Sequence, residues 1–282
     1  HGERLLEVSA TEASYYRDDR AVVVVEPKLV FYDQGVRIGT LSGQRGRLYL
    51  EGHEVETVEL EGEVELALAQ FTLRTERLDY ERSRELLIAP QHAVISSPEI
   101  ELSGSGLAFD LVTRALRLDS EVRMRLIHAP ESPAGEFTVL REHSGEVISS
   151  VAAATRGFRL TGLGADLTIT AERMEFDYSA GRISYVGDVR VTHGDAVLEA
   201  PELTILLDPS NPRPLLGVTA SGGVQMTRGN ETAWARMASY QREEGTITLA
   251  EEARLGSGPN SVTGERIIFH IGQGRTVVEG GS

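Results

Sequence analysis

Apolar and polar residues alternate with a period of two through most of this chain. The alternation is clear at 55–66, 71–73, 167–170, 182–186, 188–192, 217–220, 223–227 and 245–249, and the short apolar runs at 21–25, 29–32, 86–88, 93–95 and 266–271 also read as strands. A period of two places one face of a strand in a core and the other in solvent. Turn-forming residues separate these runs: Ser83-Arg84, Ser179-Ala180-Gly181, Asp208-Pro209-Ser210-Asn211-Pro212 and Gly256-Ser257-Gly258-Pro259-Asn260. No window sustains the i, i+3, i+4, i+7 spacing of an amphipathic helix. The nearest, 142–155, is interrupted by Gly145 and by the β-branched Val147 and Ile148. The pattern predicts an all-β protein.

The strands also repeat a phrase. Ala171-x-x-Met174-x-Phe176-Asp177 is followed by Gly181-Arg182-Ile183-x-Tyr185-x-Gly187-Asp188-Val189-x-Val191-Thr192. A similar phrase runs from Ala235-x-Met237 through Tyr240 to Leu249, and shorter forms are Leu78-x-Tyr80-Glu81 and Leu107-x-Phe109-Asp110. Tyr80 and Phe109 are 109 − 80 = 29 residues apart, and Phe176 and Tyr240 are 240 − 176 = 64 apart. Periods of this length mark stacked arrays in which each unit buries its apolar face against the next. Ile169 and Ala171 share one parity, Met174 and Phe176 the other. A parity slip inside one strand would turn its apolar face to water, so Glu172-Arg173 is expected to be a corner between two facing sheets. Small residues (Gly104, Gly106, Gly187, Gly222, Gly223, Gly264) are expected at the ends of the rungs. The fold class this implies is all-β, a stacked open β-jellyroll or β-solenoid in two consecutive repeat arrays. The phrase is lost after Ala129-Pro130-Glu131-Ser132-Pro133-Ala134-Gly135 and resumes near Leu167. The expected domains are therefore 1–127, a connector at 128–157, and 158–282.

Composition narrows the functions available. The 282 residues contain no cysteine, which removes disulfides, thiolate nucleophiles and Cys metal sites. No apolar stretch is long enough to cross a bilayer as a helix. The net charge is −15, and Lys28 is the only lysine. Such acidity argues against a nucleic-acid partner, which requires a basic footprint. Residues 51–65 hold seven glutamates; Glu59, Glu61, Glu63 and Glu65 alternate with apolar residues, as on a strand with a solvated acidic face.

Catalytic chemistry is not visible. His53, His92, His128, His143, His193 and His270 stand singly, without metal-ligand spacing. Asp110, Asp177 and Asp188 recur at similar places in the phrase, which suggests turn capping rather than a carboxylate pair. Gly162-x-Gly164 has no following helix and is not a phosphate cradle. No catalytic residue, metal or cofactor is expected.

Two families are resembled, one by each half. The second half is similar to the LptA/OstA family of periplasmic lipopolysaccharide-transport proteins. The similarity rests on Ala171-Glu172-Arg173-Met174-x-Phe176-Asp177, on Gly187-Asp188-Val189-x-Val191-Thr192, and on Gly264-Glu265-Arg266-Ile267-x-Phe269 with Gly274-Arg275-x-Val277-x-Glu279-Gly280. The first half resembles LptC, through Pro27-x-Leu29-x-Phe31-Tyr32-Asp33, Leu60-Glu61-Gly62-Glu63-Val64, Leu73-x-Thr75-x-x-Leu78-x-Tyr80, Leu102-x-Gly104-x-Gly106-Leu107-x-Phe109-Asp110 and Leu116-x-Leu118-x-x-x-Val122-Arg123.

These resemblances imply a fusion of the two, acting as a non-enzymatic bridge component. A hydrophobic jellyroll groove would carry lipopolysaccharide acyl chains from the inner-membrane Lpt ABC transporter toward the outer membrane. The N-terminal edge would meet the transporter complex. The C-terminal edge would meet further LptA-like units or the outer-membrane translocon, with head-to-tail self-association as a further possibility. The site would be periplasmic, and an N-terminal membrane tether would lie outside this sequence. Groove candidates are Leu78, Tyr80, Leu107 and Phe109 in the first array, and Met174, Phe176, Val189, Val191, Met226, Tyr240, Leu249, Ile267 and Phe269 in the second. The same residues could instead fill a closed core. A structural β-array scaffold and a carbohydrate-active β-solenoid enzyme are the competing functions.

Overall fold

The computed structural model describes residues 6–18, 20–33, 36–52, 54–68, 71–98, 100–127, 167–208, 215–257, 260–270 and 275–280. The expected connector at 128–157, and with it the window at 142–155, lies outside the described residues. All regular structure among the described residues is strand, and every pairing considered below is antiparallel. The chain divides into two units. Among the described residues the first runs to Leu118, and the second begins at Asp119 and resumes at Leu167.

The first unit holds β1 (Leu6–Ser9), β2 (Glu12–Tyr16), β3 (Ala21–Val25), β4 (Lys28–Asp33), β5 (Val36–Ser42), β6 (Arg45–Glu51), β7 (Glu54–Leu68), β8 (Thr72–Glu81), β9 (Leu86–Ser96), β10 (Ile100–Asp110) and β11 (Ala115–Leu118). The long strand β7 belongs to two ladders, because its 54–61 part pairs with β6 and its 65–68 part with β5. One ladder joins β1, β4, β5 and the far half of β7; the other joins β2, β3, β6 and its near half. Inward residues line up across each: Leu29, Leu41, Leu66 and Leu73 in the first, Leu48, Val58, Tyr80, Leu87 and Phe109 in the second. The acidic face of β7 is partly balanced across the strand, where Arg74 pairs with Glu65 at 2.9 Å and Arg77 with Glu61 at 3.1 Å.

The second unit holds β12 (Ser120–Leu126), β13 (Leu167–Ala171), β14 (Arg173–Asp177), β15 (Arg182–His193), β16 (Ala196–Leu207), β17 (Leu215–Arg228), β18 (Glu231–Gln241), β19 (Thr246–Ser257), β20 (Asn260–His270) and β21 (Arg275–Glu279). Strand β15 pairs with β14 through 182–186 and with β13 through 190–193. The break between β13 and β14 falls at Glu172, where the chain bends as the parity slip requires. Each later strand runs through the same corner: the ladders shift register between Val186 and Val189, Glu199 and Glu202, Ser221 and Val224, and Ala250 and Ala253.

Two kinds of corner alternate. In β15, β17 and β19 the corner holds two residues in the left-handed region: Gly187-Asp188, Gly222-Gly223 and Glu251-Glu252. Inward positions on either side then keep one parity, as with Tyr185 and Val189. In β16, β18 and β20 the corner is one residue shorter and parity flips, as between Ala200 and Leu203, and between Ala235 and Ala238. The small residues thus sit at corners in mid-strand rather than at rung ends. Two of them are required there on separate grounds. Gly187 has φ +84°, and a β-carbon would run into the Glu172 side chain; Gly222 has φ +90°, and a β-carbon would lie 2.9 Å from the Pro201 ring.

Asp110 and Asp177 cap their hairpins. Asp110 Oδ1 accepts the Val112 and Thr113 N–H groups at 2.9 and 2.8 Å, and Asp177 Oδ1 accepts the Ala180 N–H at 2.9 Å. Asp188 differs from the expectation: with φ +44° it forms part of a corner, where Asp tolerates the left-handed conformation better than most side chains.

Candidate functional site

Two apolar rows cross the β14–β21 sheet of the second unit. The row nearer the corner runs Met174, Tyr185, Leu203, Ala220, Ala238, Leu249, Ile267, Val278; the outer row runs Phe176, Ile183, Ile205, Val218, Tyr240, Ile247, Phe269, Thr276. The facing sheet carries a small-residue row beside the corner (Val189, Ala200, Val224, Ala235, Ala253) and a larger one beyond it (Val191, Leu198, Met226, Ala233, Leu255, Val262).

At the start of the unit these rows close on each other. The Tyr185 hydroxyl reaches across to Met124 Sδ at 3.1 Å, and Ile169, Met174, Phe176 and Ile183 are all buried. Burial pushes the Tyr185 phenol well above its ordinary pKa. Toward the C-terminus the rows part. Val191, Leu198, Met226, Ala233 and Leu255 are half-buried, as are Val218, Tyr240, Ile247 and Phe269 opposite, and Val262 is 48% exposed. An open cavity of about 590 Å³ lies between them, lined largely by apolar side chains. Polar groups sit at its mouth: His193, Arg228, Glu231 and Ser257, with Arg228 3.4 Å from Asp195. Among the described residues no group of His, Asp or Glu is placed to hold a metal ion.

The sequence candidates therefore separate. Val191, Met226, Leu249 and Phe269 line the cavity. Tyr240 is half-buried in the same row as Phe269. Met174, Phe176, Val189 and Ile267 are buried, Val189 and Ile267 to within 1%. In the first unit Leu78 and Leu107 are buried, whereas Tyr80 and Phe109 are half-buried and meet through Leu87. Burial raises the Tyr80 phenol pKa and the Glu85 charge adds to it. The reading of the sequence overlooked Leu198, Ala233, Ile247, Leu255 and Val262. Leu255 could have been found by continuing the alternation of β19 past its corner; Ala233 lies beyond a corner that flips parity, and Leu198 lies on β16, which lacks the repeated phrase.

Two family models match this chain. Residues 1–127 match the model "Lipopolysaccharide-assembly, LptC-related", and residues 168–275 match "LptA/(LptD N-terminal domain) LPS transport protein". The chain is a fusion of an LptC-like and an LptA-like array. Both are transport families rather than enzyme families, and proteins of this kind are periplasmic. Among solved structures the fusion is similar to LptH of Pseudomonas aeruginosa, described as the LptA-homologous periplasmic component of the lipopolysaccharide transport device. That similarity has 21% identity and a TM-score of 0.35, and covers 40% of this chain and 80% of that one. Comparison with curated proteins returns no match. The LptC-LptA-like fusion is thus a lipopolysaccharide-transport component built as a β-jellyroll.

Proposed function

We propose that the fusion carries lipopolysaccharide by holding its acyl chains in the jellyroll interior, without catalysis. The observation that carries this reading is the open apolar cavity of the LptA-like array, where half-buried Met226, Val191 and Leu255 face Ile247 and Phe269. Each methylene taken from water into such a lining contributes about 0.8 kcal/mol, so a lipid with several chains binds firmly through its tails alone. The net charge of −15 favours leaving an anionic headgroup in solvent. In the LptC-like array, Tyr80 and Phe109 are the corresponding partly exposed residues.

The ends of the arrays suit strand addition. Among the described residues β2 pairs only with β3, with Tyr15 59% exposed on it, and β21 pairs only with β20. The N-terminal edge would meet the inner-membrane transporter complex, and a membrane tether would precede it. The C-terminal edge would meet a further LptA-like unit, a second copy, or the outer-membrane translocon.

A photo-crosslinking amino acid at Phe269, at Phe176 and at the outward-facing Gln225, one at a time, tests the groove. Lipopolysaccharide captured at Phe269 and not at Gln225 is the expected result, with weak or no capture at the closed position Phe176. Equal capture at Phe269 and Gln225, or none at Phe269 in folded protein, overturns it and leaves a structural scaffold. Binding of glycans lacking acyl chains would favour a carbohydrate-active surface.

A further inference from the structure

The cavity wall on β17 and β18 is built in three tiers. At the rim Arg228 stands opposite Glu231, both exposed; below them Met226 stands opposite Ala233, and all four line the cavity; beneath the lining, Val224 stands opposite Ala235, 1% and 0% exposed, and closes the space as a floor. Ala253, also 0% exposed, continues this floor beside Ala235. The strand from rim to floor, 231 to 235, spans about 13 Å. In the middle tier Ala233 lies between Met226 and Leu255 and is the smallest side chain of its row. Its methyl group leaves the way from rim to floor open, whereas a branched side chain there would project toward Ile247 and Phe269 and shorten the space. A hydrophobic slot with a closed floor, a polar rim and one small residue between them has the form of a length gauge.

We propose that Ala233 sets the length of acyl chain the cavity accepts, with the unbranched and adaptable Met226 as its neighbour. This rests on the acyl-groove reading. A chain that reaches the floor fills the slot; a longer one leaves methylenes in water, where they add no affinity. The polar end of the lipid stays at the rim, where Arg228 is already engaged by Asp195.

Lysophosphatidylcholines with hexanoyl, octanoyl, decanoyl, dodecanoyl and tetradecanoyl chains, each below its micelle concentration, are titrated into the full chain by calorimetry. In the unsubstituted protein affinity is expected to rise with chain length and then level off. Ala233→Leu should bring the plateau to shorter chains, with about fourfold weaker binding for each methylene excluded and hexanoyl binding changed by less than about twofold. Ala233→Val should move the plateau in the same direction by less. Circular dichroism checks the fold of each variant; if Ala233→Leu does not fold, the Ala233→Val result decides alone. Unmoved plateaus, or equal loss at every chain length, overturn the role of Ala233 while leaving an acyl groove in place. If the unsubstituted protein binds none of these lipids and Phe269 captures no lipopolysaccharide, the acyl reading falls and the gauge with it.

Discussion

At the scale of single residues, Tyr185 joins packing to a measurable titration. Its phenol is buried against Met124, and removal from water disfavours the phenolate, so the folded-state pKa lies above the unfolded one. Below the unfolded value, about 10, both states hold the proton and the group contributes no pH dependence. Above it the unfolded chain releases the proton first, and stability falls as pH rises toward the folded value. Urea midpoints followed from pH 8 upward should decline above about pH 10, and Tyr185→Phe should flatten that decline. An unchanged slope in the variant would mean that Tyr185 does not govern the alkaline limb, leaving Tyr80, whose phenol is also raised by burial, as the next to test. Nothing in the sequence marks Tyr185 as closed and Phe269 as open. Both are inward residues of the same phrase, and what separates them is the spacing of two sheets, which no local pattern encodes.

At the scale of elements the corners matter most. The sequence revealed those that flip parity, since Ile169-x-Ala171 and Met174-x-Phe176 cannot share a straight strand. It concealed those that keep parity, so residues 55–66 read as one uninterrupted alternation although Gly62 and Glu63 have φ +80° and +47° in their midst. Strand existence was therefore legible almost throughout, while the place where each strand changes sheets was legible only on alternate strands. Gly222→Val should expose the requirement: a branched side chain at φ +90°, against the Pro201 ring, is expected to cost about 1–3 kcal/mol. The measurement is chemical denaturation beside Gly229→Val, where φ is also positive but a β-carbon meets nothing within 4 Å. Equal losses would show that backbone strain alone, and not close approach to Pro201, accounts for the effect.

At the scale of the whole molecule charge and ion pairing act in opposite directions. The ion pairs Arg190–Glu199, Arg236–Glu252 and Arg266–Glu279 all lie on exposed faces, and such pairs contribute about 0–1 kcal/mol each, less at high salt. Self-repulsion at a net charge of −15 is screened by the same salt. Melting followed from low salt to about half-molar sodium chloride, beyond which little electrostatic range remains, should show a Tm that rises by a few degrees; a fall would mean that the ion pairs outweigh the repulsion. The alternation of corners also bears on ancestry. Because one kind of strand keeps parity and its neighbour flips it, the smallest segment that can be copied in tandem is a pair of neighbouring strands. Phe176, Ile205, Tyr240 and Phe269, one per pair, stand 29, 35 and 29 residues apart. Gene duplication could lengthen such an array only by whole hairpins, about 9.6 Å at a time, so jellyrolls of different reach should differ from one another by even numbers of strands.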